Sequence, residues 1–147
     1  MESEQFLKLD NQLCFAIYAC SREITRLYRP FLDELGITYP QFLTLTVLWE
    51  HKRLTVKAIG ERLFLDSGTL TPMLKRMEAL ELVKRVRGTE DERKVYIALT
   101  ERGEQLREEA LNLPEKCIPH FGLTKDDYLG LLKQMNQMIE SLQKVTR

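Results

Sequence analysis

Three cysteines, Cys14, Cys20 and Cys117, are the side chains of this 147-residue sequence best suited to nucleophilic or redox chemistry. None belongs to a CxxC pair, and His51 and His120 are the only histidines. A structural zinc needs four ligands, usually closely spaced, so neither metal nor another cofactor is expected. A structural disulfide is unsuited to a reducing compartment, where disulfides tend to be regulatory. Cys20 falls on an apolar helical stripe and reads as a small core residue. Cys14 lies beside that stripe, near a helix start, where the dipole favours a thiolate. A lone helical cysteine there would equally serve as packing.

A second set of residues suits nucleic-acid recognition. The run Leu65-Asp66-Ser67-Gly68-Thr69-Leu70-Thr71-Pro72 opens a helix, and Lys75 and Arg76 follow one to two turns on. Ser67, Thr69 and Thr71, with free backbone N–H groups, suit phosphates and base edges. Arg76 could pair with guanine through O6 and N7. Arg85 belongs to the same basic stretch, with Lys84, Arg87 and Lys94. Arg93, in a charged loop tip, suits a narrow A·T-rich minor groove, and Asp91 two positions earlier would hold its guanidinium. The same residues would otherwise form a solvated charged face; the helix-turn-helix context favours double-stranded DNA.

These residues must be positioned by helices and a hairpin. Phe6, Leu9, Leu13, Ile17, Cys20, Ile24 and Leu27 repeat every three or four residues, which predicts an amphipathic helix of about five turns. Pro30 ends or bends it, and a short piece closes at Gly36. Thr38 caps the next helix, with Pro40 in its first turn. Leu54-Thr55-Val56 reads as an extended link, with Thr55 capping a helix that turns Val56, Ile59, Leu63 and Phe64 inward. Asp66 or Ser67 caps the recognition helix, which must start close by, because Pro72 is tolerable only within the first turn or so. Leu82–Val86 and Val95–Ala98 form a hairpin around a polar tip. Thr100 caps a helix to about Leu113, broken by Pro114 and Pro119. Thr124 caps the last helix, with Tyr128, Leu131, Leu132, Met135, Ile139 and Leu142 as its stripe.

The expected architecture is mainly α with a small β-hairpin wing: a winged helix-turn-helix in a single domain over 1–147. About 30–100 would bind DNA, while about 5–29 and 101–147 would bury surplus apolar faces against a second copy. Such a dimer sets two recognition helices about one DNA turn apart. Net charge is zero, so bulk attraction does not argue for DNA; the basic residues crowd one stretch. No apolar run approaches the ~20 residues of a membrane span. The acidic stretch Met1 to Asp10 lacks a signal-peptide core. The expected compartment is the cytoplasm.

Asp91-Glu92-Arg93 followed by Val95-Tyr96-Ile97-Ala98-Leu99-Thr100 resembles the wing of the MarR family of dimeric winged-helix regulators. The resemblance covers nearly the whole chain. Asp66-Ser67-Gly68-Thr69-Leu70-Thr71-Pro72, with Asn11-Gln12-Leu13-Cys14-Phe15, resembles the organic hydroperoxide resistance subgroup. That resemblance implies that Cys14 is the sensing thiol. It implies activation by tyrosine hydroxyls, some from the partner subunit, at positions matching Tyr28 and Tyr39, with Tyr18 nearby. It implies oxidation to a sulfenic acid by organic hydroperoxide, then release of a repressor from its operator. Some members are capped by a small thiol; others form an intersubunit disulfide, for which Cys117 stands about where the resolving residue is expected. MarR relatives switched by a small aromatic ligand supply the alternative. An enzyme, a thiol peroxidase using Cys14, is not expected: no arginine-threonine arrangement surrounds that residue.

Overall fold

The computed structural model of the chain describes residues 2–91 and 93–146. Glu92 of the wing run, like Met1 and Arg147, lies outside the described residues. The chain divides into two compact units, 1–113 and 114–147.

In the first unit, α1 (Ser3–Phe6) and a 3-10 turn at Leu9–Asn11 precede α2 (Leu13–Leu35). The helix expected from Phe6 therefore starts later, at Leu13. Asn11 donates to the Gln5 carbonyl and Gln12 to the Leu7 carbonyl, each through its side-chain amide. Such local bonds compete with helix propagation. Pro30 neither ends nor divides α2, which continues through it to Leu35. The Arg26 carbonyl loses its helical donor, but both residues are exposed and water can replace it. Gly36, at φ 72°, closes the helix in the left-handed conformation.

α3 (Tyr39–His51) begins with a capping box: the Thr38 hydroxyl accepts from the Gln41 N–H, and the Gln41 side chain accepts from the Thr38 N–H. Its Leu45 and Leu48 are fully buried. Trp49 donates its indole N–H to the Gly103 carbonyl at 3.0 Å and packs edge-on against Phe42. The expected extended link proves to be a third strand, β1 (Arg53–Thr55). Three residues are too few to show alternation in sequence. Thr55 then caps α4 (Val56–Leu63) through the Ala58 N–H.

Phe64 does not turn inward. It ends α4 at φ 58° and stands 50% exposed, because the left-handed conformation swings its side chain off the helix face. Gly60 allows the turn that follows. The Leu65 N–H donates to the Gly60 carbonyl at 2.9 Å, and a Cβ on Gly60 would stand 2.6 Å from the Leu65 carbonyl oxygen. α5 (Ser67–Ala79) starts after Asp66 and carries Pro72 in its second turn, deeper than the first turn expected to tolerate it. Pro72 is exposed, so water can serve the carbonyl it leaves unpaired.

β2 (Val83–Arg87) and β3 (Val95–Leu99) form the hairpin, and β1 pairs on the other edge of β3, giving the order β1-β3-β2, all antiparallel. Val83, Ile97 and Leu99 turn one sheet face into a core shared with Ile59, Leu70, Leu74 and Met77. Thr100 caps α6 (Glu101–Ala110) through the Gly103 N–H. This helix stops at Ala110, short of the expected Leu113.

α7 (Leu113–Cys117) crosses into the second unit, with Pro114 inside its first turn rather than breaking a helix. A 3-10 turn at Ile118–Phe121 ends at Gly122, whose φ is 71°. Thr124 caps α8 (Lys125–Thr146) through the Asp127 N–H. No residue of α8 is buried, and Leu129, Leu131, Leu132, Leu142 and Val145 are exposed. Among the described residues, no helix is long and apolar enough to cross a membrane.

Candidate nucleic-acid interface and thiol site

α5 buries Leu70, Met73, Leu74 and Met77, which turns the other side of the helix outward. Ser67, Gly68, Thr69, Pro72, Lys75 and Arg76 are exposed there, and Thr71 is half-buried. The hydroxyls of Ser67 and Thr69 and the cations of Lys75 and Arg76 are therefore presented together, with Pro72 and Gly68 between them. The first-turn N–H groups are not all free for phosphate. Asp66 accepts the Thr69 N–H at 2.7 Å, and this bond, followed by one from the Thr69 side chain, holds the Asp66 carboxyl below its usual range.

The hairpin tip is closed by the Gly88 N–H on the Lys94 carbonyl, 2.8 Å, and by the Lys94 N–H on the Asp91 carbonyl, 3.1 Å. A Cβ on Gly88 would meet the Asp91 carbonyl oxygen at 2.7 Å, so the turn requires glycine. One Asp91 carboxylate oxygen accepts from the Arg93 N–H at 3.0 Å and from its Nε–H at 3.2 Å. The backbone bond first, then the guanidinium, hold the Asp91 carboxyl below the ordinary range. Arg93 itself projects with 93% of its side chain exposed. Arg85 is placed differently: its Nε–H donates to Glu78 of α5 at 2.8 Å. The sequence reading missed Glu78. Its only signal was an acid in the last turn of a helix, where the dipole opposes negative charge.

A cleft of about 540 Å³ adjoins α5, lined by Arg29 and Asp33 of α2, Tyr39 of α3, and Thr69, Met73 and Arg76 of α5.

Cys14 is the second residue of α2 and is exposed. Gln12 precedes the helix and makes no side-chain cap, so nothing covers the N–H groups beside the sulfur from that position. Tyr18 lies one turn on, 63% exposed, with the Arg22 guanidinium 5.5 Å above its ring. Tyr28 stands about 21 Å from Cys14 along the helix axis, at roughly 1.5 Å per residue. It is buried, 5.2 Å from the Tyr39 ring, with Phe42 beside both. Of the three expected tyrosines, a single chain brings only Tyr18 to its own Cys14. Cys20 is exposed rather than in the core. Of α2, only Tyr28 and Leu32 are buried; the stripe residues Ile17, Ile24 and Leu27 are half-buried and Leu13 is exposed. Cys117 ends α7, is buried, and has its thiol pushed up by that burial, with Lys116 acting in the opposite sense.

Comparison with known proteins bears on the family and the fold. Residues 26–110 match the family described as transcriptional regulator SarA/Rot. The chain is 52% identical over 136 residues to the organic hydroperoxide resistance transcriptional regulator of Bacillus subtilis (strain 168), covering 92% of each. The structure of reduced AbfR bound to DNA superposes with a TM-score of 0.80 at 39% identity, covering 97% of this chain and 99% of that one. Disulfide-formed AbfR superposes with a TM-score of 0.69 at 37% identity, covering 95% of each. AbfR comes from Staphylococcus epidermidis. A cysteine-to-serine mutant of MarR from E. coli, complexed with operator DNA, gives 0.73 at 26% identity, over 86% of this chain and 92% of that one. The chain belongs to the SarA/Rot and MarR winged-helix regulators, in the organic hydroperoxide resistance subgroup, and is a transcriptional regulator rather than an enzyme.

Proposed function

We propose that this chain is a thiol-switched repressor acting in the cytoplasm. As a reduced homodimer it binds a pseudo-palindromic DNA operator through Ser67, Thr69, Thr71, Lys75 and Arg76 in the major groove and Arg93, oriented by Asp91, in the minor groove. The exposed apolar side chains Leu13 at the start of α2 and Leu129, Leu131, Leu132 and Leu142 of α8 support a second copy as the dimer partner. DNA-bound AbfR, at 39% identity, supports the DNA partner.

Organic hydroperoxide is the signal. The Cys14 thiolate attacks the distal peroxide oxygen; the O–O bond breaks, the alkoxide leaves and takes a proton to become the alcohol, and the sulfur becomes a sulfenic acid. Tyr18 of the same chain, and Tyr28 and Tyr39 of the partner subunit, are the proposed thiol-activating hydroxyls. The Cys117 thiol of the partner subunit then displaces hydroxide from the sulfenic sulfur, releasing water and forming a disulfide. The observation that carries this reading is the contrast between the thiols: Cys14 exposed at a helix start, Cys117 buried. The first meets peroxide directly. The second must be uncovered before it reacts, so disulfide formation entails movement of α7, and the two recognition helices lose their groove spacing. A difference of a few kcal/mol between the two states suffices to change occupancy.

The test is fluorescence anisotropy of labelled DNA from upstream of the gene, with protein reduced, treated with stoichiometric organic hydroperoxide, and then treated with dithiothreitol. Loss and recovery of binding are expected. Binding indifferent to peroxide would overturn the thiol switch. The cleft that reaches Thr69 and Arg76 favours a second reading, release by a small aromatic ligand seated there. That reading predicts release of a Cys14→Ser variant by ligand alone.

A further inference from the structure

The contact between Arg85 and Glu78 joins the two parts of the protein that must meet DNA together. Glu78 lies in the last turn of α5, and Arg85 lies in β2, one arm of the wing. In the sheet register Arg85 stands opposite Ile97, and Val83 stands opposite Leu99. Directly opposed residues share a face. Arg85 is therefore on the same face as buried Val83, Ile97 and Leu99, the face turned to the core, not the one carrying Lys84, Ala98 and Tyr96. Its Nε–H is committed to Glu78 at 2.8 Å.

We infer that Arg85 is a positioning residue, not a phosphate contact: with Glu78 it fixes the angle between the recognition helix and the wing. This rests on the DNA-binding reading above. Two grooves must be entered at once, α5 in the major groove and Arg93 in the minor. A wing that swings relative to α5 forfeits one contact whenever it makes the other. Both side chains are partly exposed, so the ion pair adds little to global stability. Its effect is on the fraction of molecules holding both elements in register with the duplex. Without Arg85, Glu78 would oppose the dipole at the C-terminal end of α5.

The two roles predict opposite signs for Glu78. If Arg85 bound phosphate, removing the acid beside it would free the guanidinium and tighten binding. If the pair positions the wing, removing the acid weakens binding. The experiment is a salt titration of operator affinity for the reduced full chain and for Glu78→Gln, Arg85→Gln and the double variant, with thermal midpoints as a folding control. Each single variant should weaken binding about two- to fivefold. The double variant should be no worse than either single one, because both break the same contact. The slope of log K against log salt should stay at the wild-type value. A tighter-binding Glu78→Gln, or an Arg85→Gln slope shallower by about one, would overturn the inference. Wild-type protein that binds no DNA when reduced would overturn the DNA-binding reading and this inference with it.

Discussion

At the scale of single residues, Asp91 and Arg93 act against simple charge counting. In the proposed DNA-binding role an acid at the hairpin tip would repel phosphate, yet its carboxylate holds both the backbone and the guanidinium of Arg93. Arg93→Ala should cost roughly tenfold or more in operator affinity. Asp91→Asn should weaken binding in the same direction by a smaller factor; tighter binding would contradict the orienting role. The Asp91 carboxyl is held below its ordinary range, so its contribution to wing order is complete above the unfolded aspartate pKa and is lost only as pH falls through the lower folded value. Protection of the Arg93 amide in hydrogen exchange, corrected for the intrinsic rate, should be flat between about pH 5 and 8 and fall in acid. The thiols divide the same way. Alkylation of native protein, read by mass spectrometry, should label Cys14 quickly and Cys117 only after unfolding, because burial both covers that thiol and disfavours its thiolate.

At the scale of elements, the boundaries follow local chemistry. Thr38, Thr55, Asp66, Thr100 and Thr124 all cap the helices that their side chains announced in sequence. A cap is a bond between near neighbours along the chain, so sequence alone suffices to find it. Thr38→Ala should destabilise the chain by about 1 kcal/mol in urea unfolding. What was illegible depends on distant partners. β1 is a strand only because β3 lies beside it. Cys20 is exposed although its stripe-mates Ile17 and Ile24 are half-buried, so helical spacing alone does not decide which part of the face is covered. Phe64 points outward because the backbone must turn left-handed to start the helix-turn-helix. The tolerance of Pro30 and Pro72 within their helices rests on exposure, which sequence does not report. The close approach at Gly60 gives the sharpest test of the turn: Gly60→Ala should destabilise by about 1–3 kcal/mol, since the obstructing atom is backbone.

At the scale of the molecule, the fold leaves apolar faces open. α8 exposes Leu129, Leu131, Leu132 and Leu142, and the start of α2 exposes Leu13. Surfaces of this kind mark an association site when they are contiguous. A dimer is expected in sedimentation equilibrium at micromolar protein, and Leu132→Lys with Leu142→Lys should give monomers with sharply reduced operator affinity. Monomer behaviour of the unaltered chain would remove the geometric basis for reading two half-sites.

The chain contains one tryptophan. Its indole bridges α3 and α6 through the bond to the Gly103 carbonyl and rests against Phe42. That arrangement makes the protein its own optical gauge. Any displacement of α6 relative to α3 must break the indole bond and alter the polarity around the ring, so emission wavelength and quenching by acrylamide would register it without a label. Followed by stopped flow after peroxide, the same signal would separate the moment of chemistry at sulfur from the moment the framework yields.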